Sequence, residues 1–134
     1  MSRRKARDTA FKILFTVDLV NADAKEALQE LDQDLSIREE NRKFIAQLVQ
    51  GTLEHLKEID QRISRFSPNW PLERMAVVDR TLLRMATYEM LFSGGDVHPV
   101  VVINEAVELA KIYGDIHSHA FINAILDRIK EVGT

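Results

Sequence analysis

The chain has 134 residues, of which 46% are hydrophobic and 29% are charged, and its net charge is −3. These values predict a single folded domain over residues 1–134 and exclude the composition of a disordered chain. The chain has no cysteine, which excludes disulfides, thiolate nucleophiles, zinc fingers and iron–sulfur ligation and fits a reducing compartment such as the cytoplasm.

Positive charge is concentrated at the start of the chain. Residues 1–12 carry five basic side chains and one acidic side chain, whereas the other 122 residues carry 13 basic and 20 acidic ones. A basic end on an acidic body is a plausible contact for phosphate, and a solvated terminal tail is the alternative. Lys12 and Asp18 interrupt the apolar stretch that follows, so we do not expect a signal peptide.

Hydrophobic residues recur at helical spacing at the start of the chain and predict two helices. The first runs from about Arg4 to Asn21, and a second, narrower one covers residues 24–35. The basic residues then occupy the first turns of the first helix. Helix N-termini prefer acidic side chains, so cations kept there hint at a role in binding phosphate.

A long third helix is predicted next. Ser36 followed by Glu39 fits a capping box that opens it, and Gly51 is expected to weaken or bend it. Hydrophobic residues at helical spacing, which we expect to be buried, continue along it as far as Phe66. The proline-flanked segment 67–71 then stops it, because residues that precede proline avoid the helical conformation.

The second half of the chain also predicts helices. One starts at Pro71 and ends before Gly94. Residues 100–103 are β-branched and alone would suggest a strand, but no partner strand is present. They are therefore interpreted as the start of a helix that Gly114 caps, and Ser118 caps a last helix.

These elements predict an all-α bundle of about six or seven helices. The linker divides it into an N-terminal half, about residues 1–66, and a C-terminal half, about residues 71–134. We expect two packed three-helix groups that share one core. The longest aliphatic run, at residues 100–103, is far shorter than the roughly 20 residues that span a membrane.

Residues for catalysis are sparse. His117 and His119 are two positions apart and point to different faces of a helix, with only Asp115 nearby as a further ligand. Glu105 and Glu108 share a face but lack the histidines of di-iron bundles. There is no glycine-rich phosphate loop and no nucleophile elbow. We therefore expect no catalytic residues, no metal site, no cofactor and no enzyme activity.

Several polar residues interrupt the apolar helices. They are either a buried hydrogen-bond network or part of a ligand surface, because a buried polar group must be paired. Periodicity does not choose between these two possibilities. The residues are Tyr88, Glu89, Asn104, Glu105 and Asn123.

The chain resembles the NusB transcription antitermination family over nearly its whole length. The segments that carry the resemblance are 3–8 (RRKARD), 82–86 (LLRMA), 88–90 (YEM), 102–111 (VINEAVELAK), 113–114 (YG) and 121–123 (FIN). The resemblance implies an all-helical, non-catalytic protein that binds the single-stranded boxA element of ribosomal RNA leaders. It also implies a heterodimer with NusE, a small-subunit ribosomal protein, which helps RNA polymerase resist termination. Some family members form homodimers that hide the RNA surface.

The resemblance also implies which residues bind. For RNA they are Arg3, Arg4, Lys5, Arg7, Lys12, Phe15, Lys111, His117, Ser118, Phe121 and Asn123. Basic side chains would follow phosphates, and exposed aromatic rings and amides would contact unstacked bases, although Phe15 and Phe121 could instead be core residues. For NusE they are Glu73, Asp79, Arg80, Leu83, Arg84, Tyr88 and Glu89, a row that could equally be a solvated face.

Two departures from the family pattern affect the expected RNA affinity. Val100 and Ala120 stand where basic residues are common in the family, so affinity without the partner is expected to be low. Two alternative functions remain at this point. One is a helical protein-interaction module that does not bind RNA, which the acidic body favours. The other is an RNA-binding module detached from a larger RNA methyltransferase. The given sequence shows no cofactor-binding segment, which argues against catalysis by this chain.

Overall fold

The computed structural model describes residues 1–95 and 97–133, and this part of the chain contains helices and no strand. The helices are α1 (Arg3–Val20), α2 (Ala24–Asp32), α3 (Glu39–Glu54), α4 (Leu56–Arg65), α5 (Val77–Leu91), α6 (Pro99–Tyr113) and α7 (Ser118–Gly133). The prediction of an all-α bundle is confirmed. The β-branched residues 100–103 lie inside α6, as expected.

Helix α1 begins and ends with local backbone features. The Ser2 side chain accepts a hydrogen bond from the Lys5 backbone N–H at 3.1 Å, which satisfies one free donor of the first turn. Asn21 ends the helix with a φ of 54°, a left-handed conformation that asparagine tolerates. The helix packs against α3 and α5, and its buried apolar residues are Ala6, Ala10, Phe11 and Leu14.

The prediction of one long third helix was wrong. The chain forms α3 and α4, which are separated at His55. The predicted capping box at Ser36 was also wrong: Asp34 accepts hydrogen bonds from the backbone N–H and hydroxyl of Ser36, which holds a turn. Helix α3 therefore begins later, after Arg38, without a side-chain cap.

Gly51, which the sequence predicts to weaken or bend the helix, allows α3 to approach α5. It lies inside α3, and a Cβ built on it would be 2.1 Å from Cζ of Tyr88. Tyr88 is 4% exposed and cannot move aside easily. A glycine is needed at this position because the tyrosine ring occupies the space of a side chain.

The C-terminal half follows the predicted order with two corrections. A short 3-10 turn at Leu72–Arg74 precedes α5, so the helix starts later than Pro71. Ser118 does not cap α7 from outside but is its first residue, and its Oγ accepts from the Asp115 backbone N–H at 3.0 Å. Gly114 follows α6 in an extended conformation, and a Cβ there would lie 2.5 Å from Oγ of Ser118.

Helix α5 is the centre of the bundle. It contacts α1, α3 and α4 from the first half and α6 and α7 from the second. The largest side chains without solvent exposure include Leu82 and Leu83 of α5. One hydrophobic cluster contains residues from all seven helices, which brings the start of α1 close to α3, α5 and α6.

Candidate nucleic-acid interface

Side chains of α1 and α6 meet along a shared surface near the start of the chain. The Arg4 guanidinium binds the Glu105 carboxylate at 2.9 Å, and the Tyr113 hydroxyl, eight residues further along α6, donates to Asp8, four residues further along α1, at 2.6 Å. These side-chain contacts join the first half of α1 to α6. We call this region the α1–α6 surface, formed by Arg4, Lys5, Asp8, Lys12, Glu105, Glu108, Lys111 and Tyr113.

Asp8 is the common acceptor of this surface. Its carboxylate forms ion pairs with Lys5 Nζ at 3.3 Å and Lys12 Nζ at 3.2 Å. It also accepts a hydrogen bond from the Tyr113 hydroxyl. Burial alone would raise the pKa of Asp8, but hydrogen bonds from Tyr113 and the two lysines outweigh it and hold the pKa below its ordinary value. The same contact with Asp8 raises the pKa of Lys12. Two cations thus share one carboxylate, which leaves a net positive charge at this point.

The cations of the α1–α6 surface stay accessible to solvent. Lys111 pairs with Glu108 at 3.4 Å, and the side chains of Arg4, Lys5, Lys12 and Lys111 are 51–65% exposed. The paired carboxylates of Asp8 and Glu105 are mostly covered, so the outward-facing N–H donors of these cations are the groups that an anion from solvent can reach.

Arg3 points to a different helix. Its Nη1 donates to Oδ1 of Asn41 at 3.1 Å, and its guanidinium carbon lies 4.2 Å from the centre of the Phe44 ring. The Asn41 side chain also binds the Met1 carbonyl at 2.8 Å, so the first residues are fixed on α3. The structure therefore does not place the basic start in a solvated tail.

Arg7 lies inside the protein. Its guanidinium makes two hydrogen bonds to the Glu89 carboxylate, at 2.9 and 2.5 Å, and both side chains are 6% exposed. Burial alone would lower the pKa of Arg7, but the Glu89 contact outweighs it and raises the pKa. The predicted RNA residue Arg7 and the predicted partner residue Glu89 therefore bind each other and join α1 to α5.

The remaining predicted RNA residues differ in exposure. Phe15 is partly buried against Phe11, with ring centres 5.8 Å apart, and Phe121 also packs partly against the core. His117 and Asn123 are exposed. Ser118 is 1% exposed, and its hydroxyl fixes the turn between α6 and α7, so it is placed to support the surface from within.

The predicted NusE residues do not form one exposed row. Helix α5 is covered on both sides, which buries Asp79, Leu83, Tyr88 and Glu89, and Leu83 has no exposed surface at all. Among the seven, only Glu73 in the 3-10 turn is exposed. The alternative of a solvated face therefore does not hold for Asp79, Leu83, Tyr88 and Glu89, because five other helices pack on α5.

Arg80 and Arg84 belong to an ion-pair network between helices. Arg80 binds Asp18 of α1 at 2.5 and 3.1 Å, and Arg84 binds Asp60 of α4 at 2.9 and 3.0 Å. The four side chains are 17–28% exposed. Both arginines thus connect α5 to its neighbours and present only their edges to solvent.

Several residues of the interface were not singled out from the sequence. Asp8 lies three residues after Lys5 and four before Lys12, a spacing that itself predicts ion pairs on one helix face. Asn41 and Phe44 come from a distant segment, and no local pattern links them to Arg3. Of the ambiguous polar residues, Tyr88 and Glu89 are buried, Asn104 and Asn123 are exposed, and Glu105 binds Arg4.

The described residues contain neither a membrane-spanning helix nor a cluster of metal ligands. No helix within 1–95 or 97–133 is long and apolar enough to cross a membrane. In the same part of the chain, no three histidine, aspartate or glutamate side chains cluster as metal ligands would, so His117 and His119 have no third partner of this kind.

Comparison with known proteins identifies the family. The chain is 53% identical over 129 residues to the transcription antitermination protein NusB of Syntrophomonas wolfei, and the match covers 96% of each. It superposes on T. maritima NusB with a TM-score of 0.90, 39% identity and coverage of 98% of this chain and 92% of the other. It is also similar to the chain in a crystal structure of antitermination factors NusB and NusE in complex with dsRNA, with a TM-score of 0.83, 29% identity and 98% coverage of both. The model of the NusB family matches residues 4–131, and this chain belongs to that family.

Proposed function

We propose that this chain is a non-catalytic transcription antitermination factor that binds boxA-type single-stranded RNA of ribosomal RNA leaders together with NusE. In this role it joins the antitermination complex on RNA polymerase in the cytoplasm. Support comes from its membership of the NusB family and from its likeness to a chain crystallised with NusE and dsRNA. The observation that carries the proposal is the α1–α6 surface, where two exposed lysines share the single carboxylate of Asp8.

The predicted RNA residues take different roles in this proposal. Arg3, Arg4, Lys5, Lys12 and Lys111 bind phosphates, since their charged groups reach solvent. The partly or fully exposed Phe15, His117, Phe121 and Asn123 contact bases. Arg7 and Ser118 act indirectly, because both are buried and bound to other groups.

NusE docking is proposed at the accessible end of the predicted row. Glu73 and the exposed edges of Arg80 and Arg84 contact the partner, whereas Asp79, Leu83, Tyr88 and Glu89 support them from inside the fold. A protein-interaction module without RNA binding is the alternative, and it would keep NusE binding while leaving RNA free.

The double variant Lys5→Ala/Lys12→Ala tests the proposal. Each lost phosphate contact makes the slope of log affinity against log salt shallower by about 0.7 for a single strand, so the slope should change by about 1.4. The measurement is fluorescence anisotropy of labelled boxA RNA at several salt concentrations. Lys25→Ala/Lys57→Ala is the matched control, since both lysines are exposed on α2 and α4. Equal slopes for the two double variants would contradict the proposal.

A further inference from the structure

A groove beside the start of α1 is lined by Arg3 and by α3 residues that the function proposed above does not use. It has a volume of about 390 Å³ and lies between α3 and the end of α5. Its walls include Arg3 at the mouth, Phe44, Gln47 and Leu48 of α3, and Ser93 after α5. This volume is within the range of about 300–1,000 Å³ that is typical of small-molecule sites.

Arg3 differs in charge balance from the other cations predicted to bind RNA. Within the part of the chain that the structure describes, Arg4, Lys5, Arg7, Lys12 and Lys111 each have a carboxylate within 4.0 Å, whereas Arg3 has none. Glu89, which also lines the groove, is neutralised by Arg7. Among the described residues, no carboxylate pairs with the cation of Arg3 in the wall of the groove.

Arg3 is also held in place before any ligand arrives. Nη1 is bound by Asn41 and the Glu40 carbonyl, and the guanidinium rests on the Phe44 ring. In the described structure Nε and Nη2 make no hydrogen bond, so they can donate to a phosphate. A fixed side chain loses little entropy on binding, which favours affinity.

We propose that this groove binds one nucleotide of the RNA strand that occupies the α1–α6 surface. The phosphate lies on the free donors of Arg3, and the base enters the groove beside Phe44, where the exposed Gln47 amide can hydrogen-bond a base edge. The inference rests on the proposed function, and it extends the RNA path around the start of α1 onto α3. Arg3 and Arg4 are adjacent in the chain but bind different helices, so one strand can contact both sides.

Gln47→Glu tests this inference. The new carboxylate adds a negative charge beside the bound nucleotide and should weaken boxA RNA binding roughly fivefold in the presence of NusE. Gln50→Glu is the matched control: it makes the same charge change one turn later on α3, where the exposed side chain lines other grooves, and should change affinity less than twofold. Thermal melting should be the same for both variants, because both residues are exposed.

Photo-crosslinking gives a second readout. RNA with 4-thiouridine at single positions should cross-link to residues 42–48 from one position of the strand, as mapped by mass spectrometry. Equal affinities for the two glutamate variants, or cross-links confined to α1, α6 and α7, would overturn the inference. The proposed function would still stand in that case, provided that the wild type binds boxA RNA. Failure of the wild type to bind boxA RNA, with or without NusE, would overturn both.

Discussion

Asp8 controls how much positive charge the α1–α6 surface presents. Its carboxylate binds Lys5, Lys12 and Tyr113 and is itself mostly buried. It holds both lysines in place, and on the RNA path proposed above it would compete with phosphate for them. One side chain would therefore stabilise the fold and limit the RNA affinity.

Asp8→Asn should separate these two effects. RNA affinity should rise about threefold or more, because the lysines lose a competing anion. The free energy of unfolding at neutral pH should fall by about 1–2 kcal/mol with the loss of charge-assisted hydrogen bonds. Anisotropy and urea denaturation measure the two quantities. Asp32→Asn, on the exposed face of α2, is the control for net charge, and an equal gain in RNA affinity there would contradict the role of Asp8.

The stability difference caused by Asp8→Asn should also depend on pH. The pKa of Asp8 is below its ordinary value of 3.8 in the folded protein, so its carboxylate stabilises the fold above that value. As pH falls through the lower folded pKa, this contribution is lost and the variant should converge on the wild type. A difference that stays constant from pH 7 to pH 3 would show that Asp8 is not the titrating group.

At the scale of helices, α1 is joined to α5 by a buried ion pair. Arg7→Met leaves the Glu89 carboxylate buried and unpaired, which should cost about 3–5 kcal/mol of stability. Arg7→Met/Glu89→Met removes both charges and should recover much of that loss. Because Arg7 is buried and bound to Glu89, the double variant should keep the wild-type salt dependence of RNA binding. A shallower salt slope would place Arg7 in direct contact with RNA.

The packing of α3 on α5 depends on Gly51. Gly51→Ala would place a methyl group 2.1 Å from the Tyr88 ring, and overpacking of this kind costs about 1–3 kcal/mol. In a Tyr88→Ala background the same substitution should be neutral or stabilising, because alanine is the better helix former. Denaturant unfolding of the four proteins completes the cycle. A similar loss of stability in both backgrounds would mean that Tyr88 is not the obstacle.

Local sequence patterns predicted most helices but not the exact residues at which they begin and end. Hydrophobic spacing located α1, α6 and α7 well, since each has a continuous apolar stripe. The same spacing continues across His55, so it could not reveal the break between α3 and α4. The Ser36 capping pattern did not form, because the Asp34 carboxylate two residues earlier binds the backbone N–H and hydroxyl of Ser36 in a turn.

At the scale of the whole molecule, the basic residues that the resemblance implies for RNA are more exposed than most of the residues that it implies for the partner. Arg4, Lys5 and Lys12 lie near the start of a terminal helix, where one face stays in solvent. The charged row on α5 looks like a surface in sequence, yet Arg80 and Arg84 bind carboxylates of α1 and α4. Periodicity shows which residues share a helix face, but it does not show which neighbouring helix covers that face.

RNA selectivity in the presence of NusE is the first measurement to make. Labelled boxA RNA, a shuffled single strand and a duplex control are titrated by anisotropy at two salt concentrations, with and without purified NusE. We expect selective binding to boxA RNA that tightens with NusE, with a salt slope of roughly −2 to −3 for three or four phosphate contacts on a single strand. Equal binding of boxA and shuffled RNA, or no binding under any condition, would contradict the function proposed here.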